Sequence, residues 1–128
     1  MQRLSTVQLR RALYQDVTGI IATEYGEDLV LEEIARRVAS SRRQLQRAFA
    51  EVGHTSFRSY LTGYRMDRAA ELLVTTDLTV RDVAGAVGYR QPAQFAKAFR
   101  RRHGCAPSEY RVRMKARRAA GPALAQAA

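Results

Sequence analysis

Apolar residues fall in one-sided helical stripes along nearly the whole chain. Leu9, Leu13, Val17, Ile20 and Ile21 share one face and predict a first helix over about residues 6–25. Gly26-Glu27-Asp28 interrupts it, and Leu31, Ile34, Ala35 and Val38 then recur at i, i+3, i+4 and i+7, the pattern of a second helix about two turns long. A third stripe runs through Leu45, Phe49 and Val52, with Ser41 and Gln44 in capping-box register at its start. Phe57, Tyr60, Leu61, Tyr64, Ala69, Leu72 and Leu73 predict a long fourth helix from a Ser56 cap to the Thr75-Thr76-Asp77 turn, a rod of roughly 27 Å.

The pattern then repeats. Val80, Val83, Ala84 and Val87 give the stripe of a fifth helix, with Thr79 and Asp82 in capping-box register and Gly88-Tyr89 as the turn. Phe95 and Phe99 mark a sixth, opened by Pro92 and stopped by Gly104, and Pro107 opens a seventh. Ile34, Ala35 and Val38 match Val83, Ala84 and Val87 at an offset of 49. Leu45, Phe49 and Tyr60 match Phe95, Phe99 and Tyr110 at 50. Shared stripes with a small residue at the second core position indicate a duplicated helix-turn-helix unit, since Ala35 and Ala84 let two helices approach closely.

The expected fold is therefore all-α, with about seven helices in two helix-turn-helix subdomains joined by a long linker helix. The boundaries read as a first unit over about 6–54, a linker over 56–75 and a second unit over 78–118 within one domain spanning 1–128. The Ala-rich tail 119–128, with Gly121-Pro122 and no stripe, is expected to be frayed.

Composition narrows the function. A chain of 128 residues and 14.4 kDa is too short for a paired dinucleotide fold, a barrel enzyme or a large cofactor scaffold. The net charge is +10 with an isoelectric point near 10.8, which points to a polyanionic partner. The excess is clustered: residues 1–30 sum to −1, 31–60 to +3, 61–90 to 0 and 91–118 to +8. Twenty of the 22 cations are Arg, the side chain suited to bidentate recognition of phosphate and guanine.

A single cysteine, Cys105, excludes an internal disulfide framework and a Cys-rich zinc site. His54 and His103 lack the neighbours of a metal site. No phosphate loop, nucleophile elbow or kinase motif is present, so neither enzyme activity nor a cofactor is expected. No apolar run reaches a membrane span and Met1-Gln2-Arg3-Leu4-Ser5 lacks the core of a signal peptide, so the expected location is the cytoplasm.

In a helix-turn-helix the second helix lies in the major groove. Opposite Leu45 and Phe49 the third helix presents Arg42, Arg43, Gln46 and Arg47, donors able to address guanine, adenine and phosphate. The sixth helix presents Gln91, Ala93, Gln94, Ala96 and Lys97, a face poorer in donors and suited to shape-dependent reading. Arg100, Arg101 and Arg102 read as phosphate clamps. Arg111, Arg113, Lys115, Arg117 and Arg118 extend the positive field.

Two stretches resemble the DNA-binding domain of the AraC/XylS family of bacterial transcription regulators. One runs from Ile34-Ala35 through Leu45-Gln46-Arg47-Ala48-Phe49 to Ser56-Phe57-Arg58-Ser59-Tyr60-Leu61. The other runs from Val83-Ala84-Gly85-Ala86-Val87-Gly88-Tyr89 through Phe95, Phe99-Arg100-Arg101 and Gly104 to Pro107-Ser108-Glu109-Tyr110-Arg111. Between them Arg65-Met66 with Ala69, Ala70, Leu72 and Leu73 is similar to the family's linker helix. The resemblance covers about residues 14–113 and implies two recognition helices in successive major grooves. The roughly 27 Å linker fits the roughly 34 Å turn of the duplex.

By position the resemblance implies base reading by Arg43, Gln46 and Arg47 and, in the second unit, by Gln91, Ala93, Gln94 and Lys97. Arg65 matches a linker arginine with a structural or phosphate role. Ala39 stands in place of a usual turn glycine, His54 where a post-helix glycine is common, Val30 in place of a capping Ser or Thr, and Ala93 in place of a frequent Ser. A positive φ at Ala39 would cost roughly 1 kcal/mol. About 13 residues precede the match and no sensing domain is evident, which leaves a stand-alone regulator or a piece of a longer chain.

The resulting expectation is a monomeric, sequence-specific binder of double-stranded DNA that regulates transcription. The resemblance implies an activator that touches RNA polymerase. The alternative is a nonspecific, nucleoid-type or RNA-binding protein using the basic C-terminal field without base readout. A third class, the DNA-targeting module of a repair enzyme, is implied by similar domains fused to methyl-accepting transferases and would turn on Cys105.

Overall fold

A computed structural model of the chain describes residues 5–121. The elements are α1 (Thr6–Glu24), α2 (Leu31–Arg37), α3 (Arg42–Val52), α4 (Phe57–Thr75), α5 (Val80–Ala86), α6 (Pro92–His103) and α7 (Pro107–Ala120). Among the described residues every regular element is a helix, as the stripes require. The chain divides into two compact units with the boundary inside α4, after Tyr64. At 19 residues, α4 has about 28 Å of helix axis.

In the first unit α1 and α2 both pack on α3. The core is Leu13, Val17, Ile21, Ile34, Ala35, Leu45, Ala48, Phe49 and Leu61. Phe49 is its centre, with the Tyr14, Phe57 and Tyr60 rings edge-on at 5.1, 5.7 and 5.7 Å. Such edge-to-face pairs stabilise beyond the area they bury.

The turn between α2 and α3 is a left-handed helix stop. The Ser40 N–H donates to Ala35 O at 2.8 Å and the Ala39 N–H to Arg36 O at 3.1 Å, with Ala39 at φ 53°. After α3, His54 also takes φ 53° and the Thr55 N–H returns to Phe49 O at 3.2 Å.

In the second unit Met66, Ala69, Ala70 and Leu73 of α4 are buried, as are Val83, Ala84, Val87, Phe95 and Phe99. Phe99 meets the Tyr110 ring of α7 edge-on at 5.3 Å. The α5–α6 turn repeats the first: the Tyr89 N–H donates to Ala84 O at 2.9 Å and the Gly88 N–H to Gly85 O at 3.1 Å, with Gly88 at φ 93°. A Cβ at Gly88 would sit 2.9 Å from Arg65 Cζ, so the absent side chain is also what lets the arginine lie on the turn. Gly104, at φ 84°, ends α6.

Several details depart from the sequence expectations. Leu9 is 45% exposed, because α1 extends past the end of α3: Arg10 already pairs with Glu51 near the α3 C-terminus. At Ser41 and Thr79 the forward half of the capping box forms, with Gln44 and Asp82 N–H groups donating to the hydroxyls at 3.2 and 3.0 Å. The complete box is at Ser5 and Gln8. Val30 caps α2 without a side-chain hydrogen bond. Of the tail expected to fray from residue 119, Ala119 and Ala120 continue α7, and residues 122–128 lie outside the described residues.

Candidate nucleic-acid interface

Helix α3 is amphipathic for a definite reason. Ser41 caps its start, Leu45, Ala48 and Phe49 are drawn into the core, and the helical repeat turns Arg43, Gln46, Arg47 and Ala50 to the opposite side. Arg42, Arg43, Gln46 and Arg47 are all exposed. Two long guanidinium forks and an amide at i, i+3 and i+4 give one helix face donors of the reach and geometry that base edges and phosphates accept. The acid that α3 itself carries, Glu51, is engaged by Arg10.

Arg42 differs from its neighbours. Its Nη1 donates to Glu32 Oε1 of α2 at 2.9 Å, placing it at the acidic rim of the face. Beside it a cleft of about 380 Å³ has Leu31, Ala50 and Phe57 as apolar wall and Arg42, Gln46 and Arg58 as polar wall. Neither Glu32 nor Arg58 was singled out from the sequence. The 32–42 pair depends on how the α2–α3 turn closes, which periodicity does not encode.

In α6 the burial of Phe95 and Phe99 turns Ala93, Gln94 and Lys97 outward, and Gln91 caps the helix without a side-chain hydrogen bond. Arg100 and Arg101 are exposed on the same helix. Within the three-arginine run, Arg102 has an acidic partner of its own. Arg102 lies three residues beyond Phe99 and seven beyond Phe95, hence on the core side, and its Nε and Nη2 donate to the two Asp67 carboxylate oxygens at 3.0 and 2.7 Å. The bond from Arg102 holds the Asp67 carboxyl below the usual carboxylate range, and Asp67 raises Arg102 in return. Spacing from the phenylalanines was the signal that separates Arg102 from Arg101.

Part of the C-terminal field is likewise committed. Arg111 Nε donates to Leu73 O at 3.0 Å, and Lys115 Nζ to Thr76 O at 3.2 Å and to Asp77 Oδ1 at 2.8 Å. These cations satisfy carbonyls where α4 ends, the position at which positive charge is favoured. Asp77 is lowered by its Lys115 bond. Arg113 lies 3.8 Å from Glu109, and Arg117 and Arg118 are exposed.

Arg65 is half-buried with its guanidinium over Gly88, on the α5–α6 turn and not on the outer face of α6. His103 packs inward: its Nε2 lies 3.2 Å from Met66 O, and its ring is 4.6 Å from Phe99. His54 is exposed at its left-handed turn. Cys105 is a free, half-buried thiol. Among the described residues no group of three His, Cys, Asp or Glu could hold a metal ion, and no helix is long and apolar enough to cross a membrane.

Residues 34–113 match a family model described as a helix-turn-helix domain. The chain is 31% identical over 101 residues to the Msm operon regulatory protein of Streptococcus mutans, covering 79% of this chain and 36% of that protein. It is 33% identical over 97 residues to the lactose operon transcription activator of Staphylococcus xylosus, covering 76% and 35%. The chain thus spans about a third of the length of these relatives. Its fold is similar to the DNA-binding domain of AdpA, a global transcriptional factor solved in complex with a target DNA. That match has a TM-score of 0.79 and 32% identity, covering 84% of this chain and 97% of that one. A Chromobacterium violaceum transcriptional regulator with an AraC-type DNA-binding domain matches with a TM-score of 0.77 and 26% identity, over 81% and 93%.

Proposed function

The chain belongs to the helix-turn-helix domain family of AraC type, and from that premise we propose that it reads specific sequences in double-stranded DNA to regulate transcription. The observation that carries the reading is the α3 face, where Arg43, Gln46 and Arg47 stand exposed together on a capped helix anchored by buried Phe49. In the proposal α3 and α6 enter successive major grooves. Arg43, Gln46 and Arg47 address base edges, and Arg42 and Arg101 take phosphates at the margins.

Gln91, Ala93, Gln94 and Lys97 form the second reading face. With two glutamines and a single cation it contributes less hydrogen bonding and depends more on groove shape. Arg65 serves by bracing the turn that aims α6. The two units and the α4 linker act as one DNA-binding domain over about residues 6–118, as a monomer, with no cofactor and no catalysis.

Activation of transcription, with contact to RNA polymerase, is the regulatory sense we propose. It is supported by the relative described as a lactose operon transcription activator. In this reading the protein works in the cytoplasm, where its DNA is.

Arg47→Ala tests base reading directly. On the preferred duplex it is expected to weaken binding by about 1–3 kcal/mol, with a much smaller loss on random DNA. Equal losses on both would instead make the protein a nonspecific basic binder.

A further inference from the structure

Glu32 sits in the first turn of α2 and holds Arg42, the first residue of α3, at 2.9 Å, with the two side chains 54% and 60% exposed. Among the described residues neither Arg43 nor Arg47, the remaining cations of the α3 face, is held by an acid in this way: Glu51 is turned to Arg10, and Glu24 to Arg37. The duplicated unit is built differently. Forty-nine residues on from Glu32 stands Arg81, and fifty on from Arg42, past the residue inserted in the second turn, stands Pro92, so the corresponding place in the second unit has neither partner of the pair.

We propose that Glu32 is a positioning residue that withholds Arg42 from DNA phosphate until α3 is seated in its groove, and so sharpens discrimination between the preferred site and random DNA. This rests on the proposed reading of DNA by α3. An ion pair as exposed as this one is weak, and a phosphate brought to a fixed place exchanges with the carboxylate. Base contacts by Arg43, Gln46 and Arg47 bring the phosphate to that place on a matching sequence. On random DNA nothing fixes the approach, Arg42 stays with Glu32, and the carboxylate adds a negative charge beside the backbone. Random binding, which consists almost wholly of phosphate neutralisation, is the state that loses most from both effects.

Glu32→Gln tests this with the whole chain, by titrating a duplex carrying the preferred site and a scrambled duplex across a salt series. Random-DNA affinity is expected to rise about three- to tenfold, with a salt slope steeper by about one phosphate contact and a smaller gain on the preferred site. Glu32→Asp, which keeps the charge, is expected to restore most of the discrimination. In an Arg42→Gln background, Glu32→Gln is expected to steepen the salt slope no further, whereas a purely structural role for Glu32 would weaken both duplexes in either background. An unchanged random-DNA affinity and slope, or parallel loss on both duplexes, would overturn the inference. If the unaltered chain shows no preference between the duplexes, the sequence-reading proposal has failed. The random-DNA salt slope of Glu32→Gln still decides whether Glu32 withholds Arg42.

Discussion

Ala39 and Gly88 stand 49 residues apart and occupy one position in two copies of the same turn, at φ 53° and φ 93°. Each ends the first helix of its pair, and each is followed by an N–H that returns to the alanine five residues back. Glycine is at ease there and alanine is not, because a Cβ crowds the carbonyl in the left-handed region. Ala39→Gly is therefore expected to stabilise the first unit by about 1 kcal/mol, part of the strain relief being offset by the greater freedom of glycine in the unfolded chain. Denaturant titration by circular dichroism measures it; a loss of stability would contradict the strain.

The reverse change, Gly88→Ala, imposes the same strain on the second unit and adds a collision with the Arg65 guanidinium. The flexible arginine can move aside, so backbone strain sets most of the loss, about 1–2 kcal/mol. A thermal melt lower than that of the unaltered chain is the expected outcome. A neutral result would mean that the turn tolerates a Cβ as Ala39 does.

The Asp67–Arg102 pair makes the second unit sensitive to acid. Because Asp67 titrates below its unfolded value, the pair contributes above about pH 4 and is lost as pH falls through the lowered folded value. Both side chains are about half exposed, so solvent screening limits the contribution to about 0.5 kcal/mol. Asp67→Asn is expected to lower the melting temperature slightly at pH 6 and to flatten its dependence on pH below about pH 4. An unchanged acid profile would remove Asp67 from the account.

The helices were legible in the sequence because burial follows the 3.6-residue repeat: Leu13, Val17 and Ile21, or Phe95 and Phe99, announce their faces without reference to anything distant. The duplication was legible for the same reason, and with it the α3 face opposite Phe49. What periodicity could not supply was the partner of each cation. Arg42 meets Glu32 only once the α2–α3 turn has closed, and Arg111 reaches Leu73 O across 38 residues. Arg102 lies between these cases, since its spacing from Phe99 marks its side of the helix but only folding brings Asp67 to it. Leu9 shows the limit of a stripe, which continues after the packing partner has ended.

In the proposed function two helix-turn-helix units read DNA bases together. Selection from a random duplex library by the purified chain at about 150 mM salt, where purely electrostatic binding is already weakened, measures it most directly. Two enriched blocks about ten base pairs apart are expected, with the block read by α3 the stronger. Recovery of DNA without any enriched sequence would contradict it.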